Sequence, residues 1–230
     1  MARNRFRFDL AFQCKSLLNF EYYRLRYSLI AQSIYVFGSI VHKKPMKIVV
    51  LLSGGVDSSC CVAFYRQAGH EVTGTFVDYG QPVNKREEGS AIAIANHYGI
   101  PLQVIRSEGP PQTFGGEIAG RNAFLVFAAF LHAPLKVGLM ALGIHAGSPY
   151  YDCSEHFVDH VNALLAGYSD GKVSVAAPFL GWSKKAVFDF CHEAKVPVEI
   201  TWSCEVGPLV PCGRCLSCED RARLNVCAAK

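Results

Sequence analysis

From Lys47 onward, two apolar spacings alternate along the chain: unbroken runs rich in β-branched residues, and stretches in which apolar positions recur every three or four residues. Ile48-Val49-Val50-Leu51-Leu52 has no polar interruption, so it reads as a strand covered on both faces. A helix is expected over 57–67, stopping near Gly69, and a second strand over 71–77. The next helix, 83–98, closes on Gly99 with Pro101 behind it, a helix-stop pattern. A strand over 102–105, a Gly/Pro-rich loop over 107–120 and an apolar helix over 121–132 follow. Then come a strand over 139–144, an amphipathic helix over 154–166, a strand over 173–176 and a helix over 183–194. Alternation of this kind predicts an α/β fold, a Rossmann-like parallel sheet with helices on both faces. Ligands of such sheets sit beyond the carboxyl ends of the strands. The polar clusters fall there: 53–58 after the first strand, 78–81 after the second, 145–152 after the fourth.

The first cluster carries the sharpest chemistry. Ser53-Gly54-Gly55-Val56-Asp57-Ser58-Ser59 joins a buried strand to a helix start. The first amides of a helix lack intrahelical partners and face outward with the positive end of the dipole. Glycines keep side chains out of a ligand's way, and the serines add hydroxyl donors, which makes a phosphate cradle. There is no Lys after the glycines as a Walker A loop requires, and no G-x-G-x-x-G. The competing reading is a Gly-rich turn that only permits close packing.

Charge changes the picture of the N-terminus. Residues 1–45 hold eight Lys/Arg against Asp9 and Glu21, a net of +6, which leaves −2 on the other 185 residues of a chain whose total is +4. The main body is therefore no broad nucleic-acid surface. Met46 enters a strand directly, so 1–45 is expected to be an extension that does not belong to the native protein; a basic arm for lipid, RNA or a partner is the alternative. No signal-peptide cleavage pattern follows 27–41, and no run reaches the length of a membrane span.

Five of the ten cysteines lie beyond residue 203, and Cys204, Cys212, Cys215 and Cys218 read C-x7-C-G-x-C-x2-C. Clustering favours a metal site in a reducing compartment over a disulfide framework. Four thiolates suit tetrahedral zinc with no open ligand position, hence a structural site; an iron–sulfur cluster is the other four-thiolate choice. The chain divides accordingly into the extension 1–45, a nucleotide-binding domain 46–200 and a zinc segment 201–230.

Taken together, Ser53 to Ser58, Val77-Asp78-Tyr79-Gly80-Gln81, Gly120-Arg121-Asn122, Tyr151-Asp152-Cys153, Ala177-Pro178 with Lys184, and Ser203-Cys204 through Cys218 make 46–225 similar to the 7-cyano-7-deazaguanine synthase (QueC-like) family of the PP-loop ATP pyrophosphatases. The resemblance implies an adenine nucleotide alpha hydrolase-like fold in the cytoplasm. It implies a ligase that adenylates 7-carboxy-7-deazaguanine with ATP and Mg²⁺, takes up ammonia, and adenylates the amide to reach the nitrile. On this resemblance Ser53, Gly54, Gly55, Asp57, Ser58, Ser59 and Asp78 bind the nucleotide, and Asp57 holds either Mg²⁺ or the loop itself. Asp57, Arg121 and Lys184 serve catalysis. Tyr79, Gln81, Asn122, Tyr151 and Asp152 meet the substrate, and the four cysteines hold Zn²⁺. A small-molecule substrate and a homodimer fit this picture. Simpler roles stand beside these: Arg121 paired with Glu117, Lys184 solvated beside Lys185, Tyr79 in the core, Asp78 capping the next helix.

The chain departs from the family pattern in a short stretch between Ile105 and Gly120, in His145-Ala146-Gly147-Ser148-Pro149 where acidic residues are usual, and in Ser154 where a basic residue is usual. These flank the base pocket and spare the ATP loop. The contrasting readings are a repurposed ligase that stops at an amide or conjugate, and a nucleotide-binding module without turnover.

Overall fold

The computed structural model describes residues 45–108, 118–133, 137–145, 150–207 and 209–228. Residues 1–44 of the expected extension, Glu117 and 146–149 lie outside these. Among the described residues five strands form one sheet: β1 (Lys47–Leu51), β2 (Glu71–Asp78), β3 (Leu102–Arg106), β4 (Leu139–Ala141) and β5 (Ser174–Ala176). Their order is β3-β2-β1-β4-β5 and every pairing is parallel. Among the described residues six helices alternate with them: α1 (Val56–Gln67), α2 (Asn84–Tyr98), α3 (Arg121–His132), α4 (Glu155–Ser169), α5 (Lys184–Glu193) and α6 (Leu216–Ala228).

The period of two along β1 sorts the core into two layers. Ile48, Val50 and Leu52 pack with Phe64 of α1, Ile94 of α2 and Val187 of α5. Val49 and Leu51 face the other way, onto Val126 of α3 and Phe157, Val161 and Leu165 of α4. Helices therefore cover both faces, as expected from an uninterrupted apolar β1.

Two boundaries differ from expectation by more than one residue. β4 ends at Ala141, although Leu142 N–H still donates to Ala176 O at 2.9 Å. Beyond it Gly143 runs against the first turn of α1; a Cβ there would lie 2.7 Å from Asp57 O, so the chain leaves the sheet. Helix α4 runs on to Ser169, three residues past its expected end, and closes on Asp170 in the left-handed region. Phe157, Val161 and Leu165 keep its apolar face buried. Ser154 caps its start by accepting from Phe157 N–H at 3.2 Å.

Strand order reverses between β1 and β4, one chain leading outward to β2 and the other to β5. The crevice at such a switch point is where open parallel sheets bind ligands.

Candidate active site

The loop after β1 opens at that crevice. Gly55 is the N-cap residue of α1, with φ −78° and ψ 168°, and no side chain caps the helix. The first-turn amides stay available, and Asp57 sits among them. Ser53 and Ser58 share a hydroxyl hydrogen bond of 3.1 Å. Ser59 is fully buried, and its hydroxyl donates to Gly55 O at 2.8 Å, so it braces the helix start. The two glycines differ. Gly54 has φ +81° and lies so close to α2 that a Cβ would come 2.5 Å from Glu87 O; it is there for packing. Gly55 has only ordinary contacts around a Cβ position and faces the crevice.

Lys184, the first residue of α5, reaches back across the sheet end to this loop. Its ammonium donates to Asp57 Oδ1 at 2.9 Å and Oδ2 at 2.8 Å. His145 Nε2 lies 3.3 Å from the same Nζ and Asp220 Oδ2 lies 3.7 Å away. Phe188, one turn along α5, places its ring 5.1 Å from the ammonium. Lys185 pairs instead with Asp189 on the exposed face of α5.

A cavity of about 270 Å³ extends from the loop. Ser53, Gly55, Asp57 and Ser58 line one end, and Tyr79, Gln81, Glu87, Arg121 and Asn122 the other. The Gln81 amide donates to Glu87 Oε2 at 2.8 Å while its oxygen accepts from Tyr79 N–H at 2.9 Å. Burial pushes the Glu87 carboxyl above the usual carboxylate range, against the pull of Gln81 and Arg121. Burial likewise raises the Tyr79 phenol, and Arg121 draws it back.

Three expected site residues face elsewhere. Asp78 accepts from Gly80 N–H at 3.1 Å, from the Asn84 amide at 3.1 Å and from Arg106 at 3.2 Å, which fixes the turn leading into α2. Asp152 is buried; its carboxylate accepts from Asn122 N–H at 3.3 Å and its carbonyl from the Asn122 amide at 3.0 Å. It holds the start of α3. Tyr151 is exposed and bonds to His160 Nδ1 at 2.7 Å.

Sequence reasoning missed the remaining wall. Trp202, Ser203, Glu205 and Ser217, from the cysteine segment, also line the cavity. Trp202 N–H donates to Gly54 O at 2.9 Å, and Arg86 lies 5.4 Å from the centre of its indole. Ser217 donates to Glu205 at 2.6 Å. Arg221 of α6 donates to Thr201 O, Thr201 Oγ1 and Val198 O at 2.8–2.9 Å, tying the segment down. The signal that would have found these residues is their position next to the four cysteines, whose convergence folds the segment back.

The sulfurs of Cys204, Cys212, Cys215 and Cys218 all lie within 4.8 Å of one another, with Cys212 and Cys218 4.0 Å apart. Zn–S bonds of about 2.3 Å put tetrahedral sulfurs about 3.8 Å apart, so the donor set fits zinc. Burial opposes ionisation of Cys204, but N–H groups of Cys212, Gly207 and Val206 outweigh it and hold that thiol down at about 6. Burial and the crowding thiols push Cys218 up to about 12. Four sulfurs this close ionise together only around a cation.

The family described as "Queuosine biosynthesis protein QueC" matches this chain over residues 47–113 and 105–225. A protein named "7-cyano-7-deazaguanine synthase" from Prochlorococcus marinus subsp. pastoris (strain CCMP1986 / NIES-2087 / MED4) is 29% identical over 211 residues, covering 77% of this chain and 92% of that protein. One of the same name from Prochlorococcus marinus (strain NATL2A) is 30% identical over 205 residues, covering 75% of this chain and 90% of its own length. The match takes in the loop after β1, the cavity wall and all four cysteines, and the chain belongs to the QueC family.

Proposed function

We propose that the chain uses ATP to convert 7-carboxy-7-deazaguanine to 7-cyano-7-deazaguanine with ammonia. The carrying observation is the uncapped start of α1, flanked by the Asp57–Lys184 pair and opening into one cavity at the switch point. The substrate carboxylate attacks the α-phosphorus of ATP, and the bond to the leaving pyrophosphate breaks. Ammonia adds to the acyl adenylate and AMP departs with the C–O bond, giving the amide. The amide oxygen attacks the α-phosphorus of the second ATP, releasing pyrophosphate and one N–H proton; AMP then leaves with that oxygen and the other N–H proton is lost, giving the nitrile.

Charge builds on the departing pyrophosphate. The fixed amides of Val56, Asp57 and Ser58 meet it without reorganising, and the Ser53 and Ser58 hydroxyls add donors. Lys184 supplies a point charge and Asp57 fixes where that charge sits; Arg121 offers a planar fork to a carboxylate or phosphate. On this reading Tyr79, Gln81 and Asn122, which line the cavity, meet the deazaguanine ring, and Asp152 acts on the site by holding Asn122. Mg²⁺ bound with ATP would supply charge neutralisation at the phosphate oxygens, and Cys204, Cys212, Cys215 and Cys218 would hold Zn²⁺, which would keep the Trp202–Glu205 wall in place. This makes the chain a cytoplasmic ligase with a small-molecule substrate.

Mass spectrometry of a reaction with ATP, Mg²⁺, ammonium and 7-carboxy-7-deazaguanine tests the reading. The nitrile and AMP are expected, with Asp57→Ala reducing AMP release at least about 100-fold. An amide alone, or product only with a different amine, places the chain as a repurposed ligase. If no deazaguanine acid stimulates AMP release, the substrate assignment fails.

A further inference from the structure

Lys184 has more neighbours than a phosphate-binding lysine needs, and one of them is chemically constrained. His145 follows β4 by four residues and is nearly buried, with 14% of its side chain exposed. Gly143 sets its position. Because no Cβ stands between Gly143 and the first turn of α1, the chain just beyond β4 runs against Asp57 O, and the imidazole arrives beside the Asp57–Lys184 pair. His145 Nε2 is then 3.3 Å from Lys184 Nζ and 4.0 Å from Asp57 Oδ2. An ammonium has three donors and no acceptor. At 3.3 Å Nε2 must therefore accept from it, which puts the imidazole proton on Nδ1 and leaves the ring uncharged.

We propose that His145 is a positioning residue: as a neutral imidazole it accepts from Lys184 and fixes the ammonium at the mouth of the phosphate loop. The groups around it are consistent with that state. Burial favours the neutral ring, Asp57 of α1 opposes that, Lys184 of α5 supports it, and Asp220 of α6 opposes it, with the balance toward neutrality. His145 differs in role from Asp57, which neutralises the same ammonium. A charge partner alone leaves a flexible four-carbon stem free to swing about the carboxylate. A second acceptor from a different element removes that swing. When phosphate draws the ammonium off Asp57, the His145 contact keeps Lys184 within reach of the loop.

The inference rests on reading the loop as a phosphate cradle, and the test separates the two. The probe is inorganic pyrophosphate, titrated calorimetrically at pH 8 into the full chain and into His145→Ala, His145→Gln, Lys184→Ala and the double variant H145A/K184A. His145→Ala is expected to bind about tenfold more weakly, and His145→Gln, which keeps an acceptor, to recover most of that. The double variant should bind no more weakly than Lys184→Ala, since His145 acts only through that ammonium. Wild-type affinity in His145→Ala, or losses that add in the double variant, overturns the proposal. Absence of pyrophosphate binding to the wild type removes the cradle reading. The same proteins unfolded in urea then decide for His145: a smaller loss in the double variant than the two single losses together supports the contact, and additive losses overturn it.

Discussion

Gly54 and Gly55 are adjacent, yet they answer to different constraints. A methyl group at Gly54 meets the α2 backbone at 2.5 Å and must adopt φ +81°, so Gly54→Ala should cost about 1–3 kcal/mol or more in urea unfolding. Gly55→Ala meets Ser53 Oγ at 3.5 Å and Trp202 O at 3.6 Å, both ordinary contacts, and should leave the unfolding midpoint in place. Gly55→Val adds bulk in the cradle and should abolish nucleotide binding in a folded protein. Glu87 gives a pH signature. Its folded-state pKa is raised above 4.5, so ionising it as pH rises costs the folded state more than the unfolded one. Glu87→Gln should therefore be more stable than the wild type at pH 7.5, with the difference shrinking as pH falls towards 4.5. Equal stability of the two proteins at both pH values would contradict this. Ser53, Asp57, Tyr79 and Gln81 were legible in the sequence because strand ends of a parallel sheet converge on one crevice. Glu87 was not, since a carboxylate in the first turn of a helix reads as a partner of the helix dipole and carries no sign of facing inward. Asp152 shows the opposite: a motif residue whose oxygens serve the start of α3.

At the scale of elements, the C-terminal segment does more than gather four cysteines. A closed four-thiolate set suggests a purely structural role remote from catalysis. The fold instead puts the residues flanking two of these cysteines, Ser203 and Glu205 beside Cys204 and Ser217 beside Cys218, in the cavity wall. Cys215→Ser should lose the metal by elemental analysis and lose stability on the order of 3 kcal/mol. It should also bind substrate more weakly than a stability loss alone explains. Unchanged KM values in a metal-free yet folded variant would show that the wall stands without the metal. Helix and strand identities followed from apolar spacing, but the early end of β4 did not. Leu142 and Ile144 keep a strand-like pattern, and only Gly143's approach to α1, a contact distant in sequence, ends the strand.

Across the whole molecule, alternation predicted parallel strands but not their order. The order β3-β2-β1-β4-β5 arises from where each helix crosses, and it is this order that makes the β1–β4 gap the site. The chain from Lys44 on forms a compact unit of its own. A protein beginning at Met46 should thus match the full chain in melting temperature and AMP release; a large loss of either would show that the first 45 residues contribute. The chain has two tryptophans in different surroundings. Trp182 packs its ring 5.1 Å from Phe179 and 5.9 Å from Phe190. Trp202 lies on the cavity wall beneath Arg86. Replacing Trp182 by Phe would leave a single emitting indole beside the ligand. Its light would then report site occupancy in real time, giving stopped-flow access to the order in which nucleotide and acid arrive.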